Sequence, residues 1–449
     1  MYVVIVGAGE VGTYIARILV QEGHDVAIVE HNEKVAHVVD KSLDALVVTG
    51  NGASRRALND AGIHQADLFI AVTNLDEVNM FSCLAAKKLG DPQTIARVRD
   101  RRYEGDTYGL TSRDLEIDFI LGAEHAVAEH IGRLFKFPGL SSYEFLADGK
   151  MVIIETSVKN RFSGSGQTLS ELNIPRPGNL IAIQRNEEFL IPKGDTTLQE
   201  EDHVFALTVP ERVEDYLRFF GFPHLSVHKV LIVGGGMLGF HTARHLEELG
   251  HSITVIEADP ERAHWIAQRL HKSIVLQQDA TAIDAIREQV DEGADAIAVL
   301  MKQEEQALLL AMYAKHLGAR QVITRVDDFH YAPIAYKMNI DSLISPQRAL
   351  AQSILERVRR GKIARAMMLG DNQVEILEFT IPGEGKKGLS GVPIAELDLP
   401  SGCLLGGIVR ETPEKRVLIP RGSDQIHPGD HVIVSVHADA IKSVEEVFS

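Results

Sequence analysis

The chain repeats its own opening, and that repeat narrows the folds open to it more than any other feature. YVVIVGAGEVGTYIARILVQEGHDVAIVE, from Tyr2 to Glu30, returns as KVLIVGGGMLGFHTARHLEELGHSITVIE, from Lys229 to Glu257. Gly7, Gly12, Arg17, Gly23 and Glu30 fall on Gly234, Gly239, Arg244, Gly250 and Glu257, each at an offset of 227. Further on, DLFIAVTNLDEVNMFSCLAAKKLG is answered by DAIAVLMKQEEQALLLAMYAKHLG, and TIARVRD by VITRVDD. Self-similarity of this length means that a whole folding unit has been duplicated.

Inside each copy, short apolar runs (YVVIV, DVAIVE, ALVVT, LFIAVT) alternate with amphipathic helical patterns. That alternation predicts α/β domains of the Rossmann-like kind: doubly wound parallel sheets with helices on both faces. A smaller stretch follows each copy, and these also resemble one another. One carries GSGQTLSELNIP and NLIAIQRNEEFLIPKGDTTLQEEDHVFAL; the other carries GKKGLSGVPIAELDLP and CLLGGIVRETPEKRVLIPRGSDQIHPGDHVIVSV. Each reads as a short helix-like segment, then strands broken by Gly, Pro and Asp turns, which predicts a small α+β domain. FKFPGLSSYEFLADGK and MMLGDNQ read as connectors. The predicted order is therefore a Rossmann domain with crossover helix over 1–140, a small domain over 141–222, a second Rossmann domain with crossover helix over 228–366, and a second small domain over 367–449.

A lone GxGxxG is weak evidence for a nucleotide. Here the turn of Gly7, Ala8, Gly9, Glu10, Val11 and Gly12 lies between a predicted strand and a predicted helix, and Glu30 ends the next strand. In that context the motif points to a dinucleotide. Gly7 permits the tight turn, Gly9 lets a pyrophosphate approach the backbone, and Gly12 lets helix and strand pack. The free amides of the helix N-terminus face the phosphates. Glu30 is placed to accept hydrogen bonds from a ribose diol and to repel a 2′-phosphate, so NAD(H) is expected over NADP(H).

Strand C-termini line the ligand crevice of such sheets. Gly50, Asn51 and Gly52 end one strand there, Thr73 and Asn74 another, and Arg97 a third. Thr73 and Asn74 read equally as ligand-facing groups and as a helix-capping pair. Arg97 and Arg99 suit phosphate or an acidic partner, and Arg99 also reads as half of a salt bridge.

The second copy keeps Gly234, Gly235, Gly236, Met237, Leu238 and Gly239, with Glu257 as the ribose acceptor. Elsewhere it differs. Leu300 and Met301 stand against Thr73 and Asn74, Gln306 against Asn79, and Gln278, Asp279 and Ala280 against Gly50, Asn51 and Gly52. Arg97 is kept as Arg325, while Arg99 becomes Asp327. The two crevices are therefore expected to be unequal. The first should bind NAD(H) tightly; the second should be weak, selective for a shorter adenine nucleotide, or empty, unless Asp279 compensates.

Composition excludes other classes. Hydrophobic residues make up 45% and charged residues 24% of 449 residues, as in soluble globular domains. A formal charge of −17 argues against wholesale binding of nucleic acid or anionic lipid. Two distant cysteines, Cys83 and Cys403, fit a reducing compartment and no disulfide framework. No apolar run reaches the ~18 residues of a transmembrane helix. The N-terminus enters a strand at once, without a cleavable leader pattern. A membrane role is expected only through a partner, without direct insertion. No GxSxG, Walker A or HExxH motif occurs, and no catalytic or metal-binding residue is assigned. The short β-rich stretches offer no acid–base set for a dehydrogenase, so binding without turnover is expected. An NAD-dependent oxidoreductase with an unrecognised substrate site is the rival reading. A plain adenine-nucleotide or second-messenger receptor is a third.

VGAGEVG with Glu30, VTGNGAS, AVTNLDEVNM, IARVRD, LISPQRALAQSILERVRRGKI, AIQRNEEFLIPKGD and GIVRETPEKRVLIPRGSD together resemble the TrkA family of Trk-system potassium uptake proteins. That family is built from two tandem RCK modules, each a KTN plus a TrkA-C domain, and the resemblance spans essentially the whole chain. It implies a cytoplasmic gating-ring subunit, peripheral at the inner face of the membrane and assembled as a homotetramer on a potassium-translocating subunit of the TrkH/TrkG type. It also implies NAD(H) binding, with ATP and ADP as competing regulatory ligands at Gly7–Gly12, Glu30, Gly50–Gly52, Thr73, Asn74 and Arg97.

Overall fold

The computed structural model describes residues 1–99, 114–186, 188–279, 283–358, 365–369, 373–382, 389–410 and 416–448. In the first Rossmann domain the elements are β1 (Tyr2–Val6), α1 (Glu10–Gln21), β2 (Asp25–Glu30), α2 (Glu33–Ser42), β3 (Leu46–Thr49), α3 (Arg55–Asp60), β4 (Leu68–Ala71), α4 (Asp76–Gly90), β5 (Gln93–Arg97), β6 (Phe119–Leu121) and α5 (Ala123–Lys136). The strands lie in the order β3-β2-β1-β4-β5-β6, and every pair is parallel. Strand order reverses between β1 and β4, which opens a crevice at their C-terminal ends.

The cause is visible in burial. Val3, Val4 and Ile5 of β1, Ala27 and Ile28 of β2 and Phe69 and Ile70 of β4 have no exposed surface. Strands apolar on both sides must be covered on both faces. One face packs into a core with Leu58, Ile63, Met80, Cys83 and Ala86. Asn32 caps α2 through its side chain and Ser54 caps α3, each accepting from orphan amides of the first turn.

The first small domain is an antiparallel sheet of β7 (Leu140–Leu146), β8 (Met151–Ser157), β9 (Gly178–Arg185), β10 (Glu188–Leu190) and β11 (His203–Thr208), followed by α6 (Val213–Phe219). Its order is β10-β9-β11-β8-β7. The second Rossmann domain runs β12 (Lys229–Val233), α7 (Met237–Glu248), β13 (Ser252–Glu257), α8 (Pro260–Ala267), β14 (Ile274–Gln277), α9 (Ile283–Asp291), β15 (Ala296–Val299), α10 (Glu304–His316), β16 (Gln321–Arg325), α11 (Ala332–Lys337), β17 (Ser342–Ile344) and α12 (Pro346–Val358). Its order, β14-β13-β12-β15-β16-β17, repeats the first. The second small domain holds β18 (Arg365–Leu369), β19 (Val374–Thr380), β20 (Cys403–Arg410), β21 (Arg416–Leu418), β22 (His431–His437) and α13 (Ile441–Phe448), in the same topology as the first.

Two expectations are corrected. FKFPGLSSYEFLADGK and MMLGDNQ, expected as connectors, instead contain the edge strand β7 and the last three residues of the edge strand β18. β7 pairs with β8 through a tight turn at Ala147 and Asp148, both with positive φ. The helix-like segment around Ser170 forms turns, with Thr168 bonded to Glu171. The helix of that domain is α6 instead. Pro175 and Pro177 follow within a few residues of Ser170 and leave no room to propagate a helix.

By internal contacts the described chain forms two compact units, Met1–Val127 with Ser345–Val358, and the remainder. Helix α12, which follows the second sheet in sequence, thus belongs with the first. There it packs on α1, with the Arg348 guanidinium 5.7 Å from the Tyr14 ring centroid. Within the other unit, Gly132 of α5 leaves space for His245 and Leu249 of α7.

Candidate nucleotide site

The first crevice is built by three glycines with three different reasons. Gly7 sits at φ +100°, and a Cβ there would lie 3.1 Å from Thr73. A Cβ on Gly12 would come 1.9 Å from the carbonyl oxygen of Gly7, so helix and loop touch there. Gly9 has nothing within 4 Å of the same position and caps α1 with no side chain. The open space lies over the free amides of a helix N-terminus, where an anion is favoured. The second turn matches: Gly234 at φ +104°, Gly239 against Gly234 at 2.0 Å, and Gly236 open.

Glu30 does more than the sequence implies. It is 6% exposed. Its Oε2 accepts from the amide of Ala8 at 2.7 Å and its Oε1 from the amide of Asn32 at 2.8 Å. His31 stands 2.9 Å from Oε1. The acid therefore braces the glycine turn. Glu257 repeats the brace on Gly235 and Asp259 at 2.8 and 2.9 Å, with Arg262 at 3.7 Å. At Gly235 a Cβ would meet Ile266 at 2.5 Å, which accounts for glycine where the first copy has Ala8.

Gly50 and Gly52 are explained by packing. A Cβ on Gly50 would lie 2.9 Å from Ala57, and one on Gly52 2.0 Å from Val6. The exposed Asn51 turns its Oδ1 back to the amide of Ala53 at 2.9 Å. Glu10 is exposed in the first turn of α1, with Val11 buried behind it; Met237 and Leu238 occupy these places in α7.

The far half of the crevice turns on a residue outside the expected site. Asn79, on α4, is fully buried. Its Oδ1 accepts from the amide and the hydroxyl of Thr73 at 2.8 and 2.7 Å, and its Nδ2 donates to the carbonyls of Thr73 and Arg97 at 3.1 and 2.9 Å. Thr73 Oγ1 also accepts from the amide of Leu75 at 3.2 Å, which closes a turn ahead of α4. Leu75 is the N-cap of α4 and no side chain caps that helix, so the capping reading of Thr73 and Asn74 is corrected. Arg99 pairs with the buried Asp76 and donates to the carbonyl of Asn74. It is a structural salt bridge. Arg97, at the end of β5, is mostly buried with Glu124 at 4.0 Å.

The pairing of Thr73 and Asn74 with Leu300 and Met301, and of Asn79 with Gln306, is one residue out. Val3 pairs with Leu68, and its counterpart Val230 pairs with Ala296, so the offset in this half is 228. A Cβ on Gly234 would lie 3.1 Å from the nitrogen of Met301, where Gly7 meets Thr73. The extra residue enters between β13 and β14. The counterparts are Met301, Lys302 and Ala307, and Ala307 is fully buried while Gln306 is exposed. The second crevice thus lacks the Asn79 brace altogether. Arg325 is bound to Asp327 at 2.8 Å. Asp279 is exposed, and Ala280 lies outside the described residues.

Among the described residues no group of His, Cys, Asp and Glu is arranged to hold a metal ion, and no helix is long and apolar enough to cross a membrane.

Known proteins agree with this architecture. The TrkA-N domain matches residues 3–115 and 230–346, and the TrkA-C domain matches 164–221 and 376–449. A Trk system potassium uptake protein TrkA from Halomonas elongata is 32% identical over 456 residues, covering 100% of this chain and 98% of its own. A Trk system potassium uptake protein TrkA homolog from Archaeoglobus fulgidus is 32% identical over 449 residues, covering 100% of both. The crystal structure of the GsuK RCK domain aligns with 100% of this chain and 94% of its own at a TM-score of 0.62 and 17% identity. The GsuK channel bound to NAD has the same TM-score and identity, covering 100% and 78%. At that identity the likeness establishes the fold. Two N domains and two C domains in alternation, with full-length relatives at 32% identity, place the chain in the TrkA family.

Proposed function

We propose that the chain is the regulatory subunit of a Trk-type potassium uptake system, and that it binds NAD(H) in the first crevice without turning it over. The observation that carries the reading is the open cradle at Gly9, set between the Gly7 turn and the Glu30 carboxylate at the switch point of a 3-2-1-4-5-6 sheet. The amides of the α1 N-terminus would hold the pyrophosphate, Glu30 a ribose diol, and Thr73 with Arg97 the far end. Bound NAD(H) would supply hydride chemistry, but the polar groups here are committed to structure: Asn79 to Thr73, and Asp76 to Arg99. That supports binding rather than catalysis.

ATP and ADP share the adenosine end and would compete for the crevice. A ligand shifts an equilibrium only by its difference in affinity between states, so NAD(H) and ATP would favour different arrangements of the subunit. Relatives named as Trk system potassium uptake proteins support a membrane partner. We take that partner to be a TrkH/TrkG-type translocating subunit, met at the cytoplasmic face by a homotetramer.

Calorimetric titration of the purified chain with NADH, NAD, ADP and ATP tests the binding reading. We expect NADH to bind and its absorbance to persist with candidate carbonyl substrates. Steady NADH oxidation by the pure protein would favour an oxidoreductase instead. Loss of the gene should impair growth at low potassium, and the protein should co-purify with a potassium transporter.

A further inference from the structure

We infer that Asn79 is a positioning residue that makes the first crevice selective for a dinucleotide over a nucleotide ending in phosphates, by turning Thr73 into a hydrogen-bond acceptor. The inference rests on the reading that the first crevice binds a nucleotide.

The argument is a count of protons and lone pairs. A carboxamide has one acceptor oxygen and two N–H donors. Asn79 spends the oxygen on the amide and the hydroxyl of Thr73, and the nitrogen on the carbonyls of Thr73 and Arg97. Its orientation is set by these four partners, because the amide of Thr73 can only donate and the two carbonyls can only accept. The amide oxygen cannot donate, so the 2.7 Å contact uses the Thr73 hydroxyl proton. Among the described residues the carbonyl of Leu75, at 3.3 Å, is the only other acceptor near that proton, and the amide of Leu75 takes one of the two lone pairs. The Thr73 hydroxyl therefore offers the crevice its one remaining lone pair and no donor.

Thr73 is only partly buried and stands at the end of β4, beside the Gly7 turn. That is the half of the sheet beyond the phosphates, the half that a second mononucleotide occupies in this topology. An acceptor there matches a ribose hydroxyl or a carboxamide N–H. It does not match a terminal phosphate, whose oxygens are acceptors at neutral pH. The same carboxamide ties the end of β4 to the end of β5 through Arg97, so one buried side chain sets both strand ends. The second copy puts Met301 and Ala307 at these two positions and has neither the hydroxyl nor its brace.

The test is titration of the full chain carrying Gly236→Asp, which closes the second cradle so that only the first crevice is read. NADH and ADP are the probes. Thr73→Val keeps the shape and removes the hydroxyl; Asn79→Ala removes the brace. We expect NADH binding to weaken about tenfold in each, the loss of roughly one hydrogen bond to a buried group, with ADP affinity unchanged within about twofold. Circular dichroism and thermal midpoint identify an Asn79→Ala protein that has not folded, and Thr73→Val then decides. If NADH and ADP weaken together, or if Thr73→Val changes neither, the selectivity role is overturned while nucleotide binding stands. If the Gly236→Asp protein itself binds neither probe, the binding reading fails first, and this inference with it.

Discussion

The Oε2 of Glu30 accepts a hydrogen bond from the amide of Ala8 at 2.7 Å, and Glu257 does the same to Gly235 at 2.8 Å. The acid that ends the second strand is therefore part of the glycine turn. Glu30→Ala should leave the amides of Ala8 and Asn32 without that acceptor. We expect NADH binding to weaken by about 1–3 kcal/mol, together with a lower thermal midpoint. Calorimetric titration and scanning calorimetry on one preparation check both. An unchanged midpoint would show that the brace carries little stability.

The three glycines of the turn should behave differently when each gains a methyl group. Gly12→Ala drives a Cβ into the carbonyl of Gly7. It should cost about 1–3 kcal/mol of stability through forced backbone movement. Gly9→Ala meets open space, so its thermal midpoint should match the parent while NADH affinity falls. A Gly12→Ala protein as stable as Gly9→Ala would contradict the packing account.

His431 lies 2.8 Å from Glu378, whose other oxygen accepts from the buried amide of Ala147. The hydrogen bond to Glu378 holds the imidazolium above the usual histidine range; burial and Lys150 oppose this, and the charges of Glu378 and Asp148 add to it. A raised folded-state value means the stabilisation is full below the unfolded value of about 6.5 and is lost as pH rises through the folded one. His431→Gln should therefore destabilise more near pH 6 than near pH 9. Equal losses in thermal unfolding at both would remove the charged pair from the account.

Cys83 is fully buried, with its Sγ 3.6 Å from the carbonyl oxygen of Ile95. Burial, with Asp118 nearby, pushes its thiol far above the ordinary range, and burial also raises Cys403. Since the thiolate is the reactive form, a thiol reagent near pH 8 should reach Cys403 slowly. Cys83 should react only on denaturation. Rapid labelling of two thiols in the folded protein would contradict this.

Much of the architecture is legible in the chain alone, because it rests on local rules. Apolar runs alternating with helical patterns dictate a parallel sheet covered on both faces, and two copies dictate two such sheets. The separate roles of Gly7, Gly9 and Gly12 follow from one turn and one helix, over a handful of consecutive residues. What lay beyond reach depends on partners distant in sequence. Strand β7 is not legible in the chain because LSSYEFL has no clean period-two alternation of apolar and polar residues, and its burial follows from pairing with β8. The register of the second copy is fixed by which residue of β15 meets β12, and an inserted residue between β13 and β14 shifts that by one without disturbing the pattern of apolar residues. The work of Asn79 is the clearest case. Its partners lie 6 and 18 residues away, and they become neighbours only because β4 and β5 are adjacent in the sheet. Hydrophobic period determined the strands; only their packing decided which buried carboxamide would hold two strand ends together.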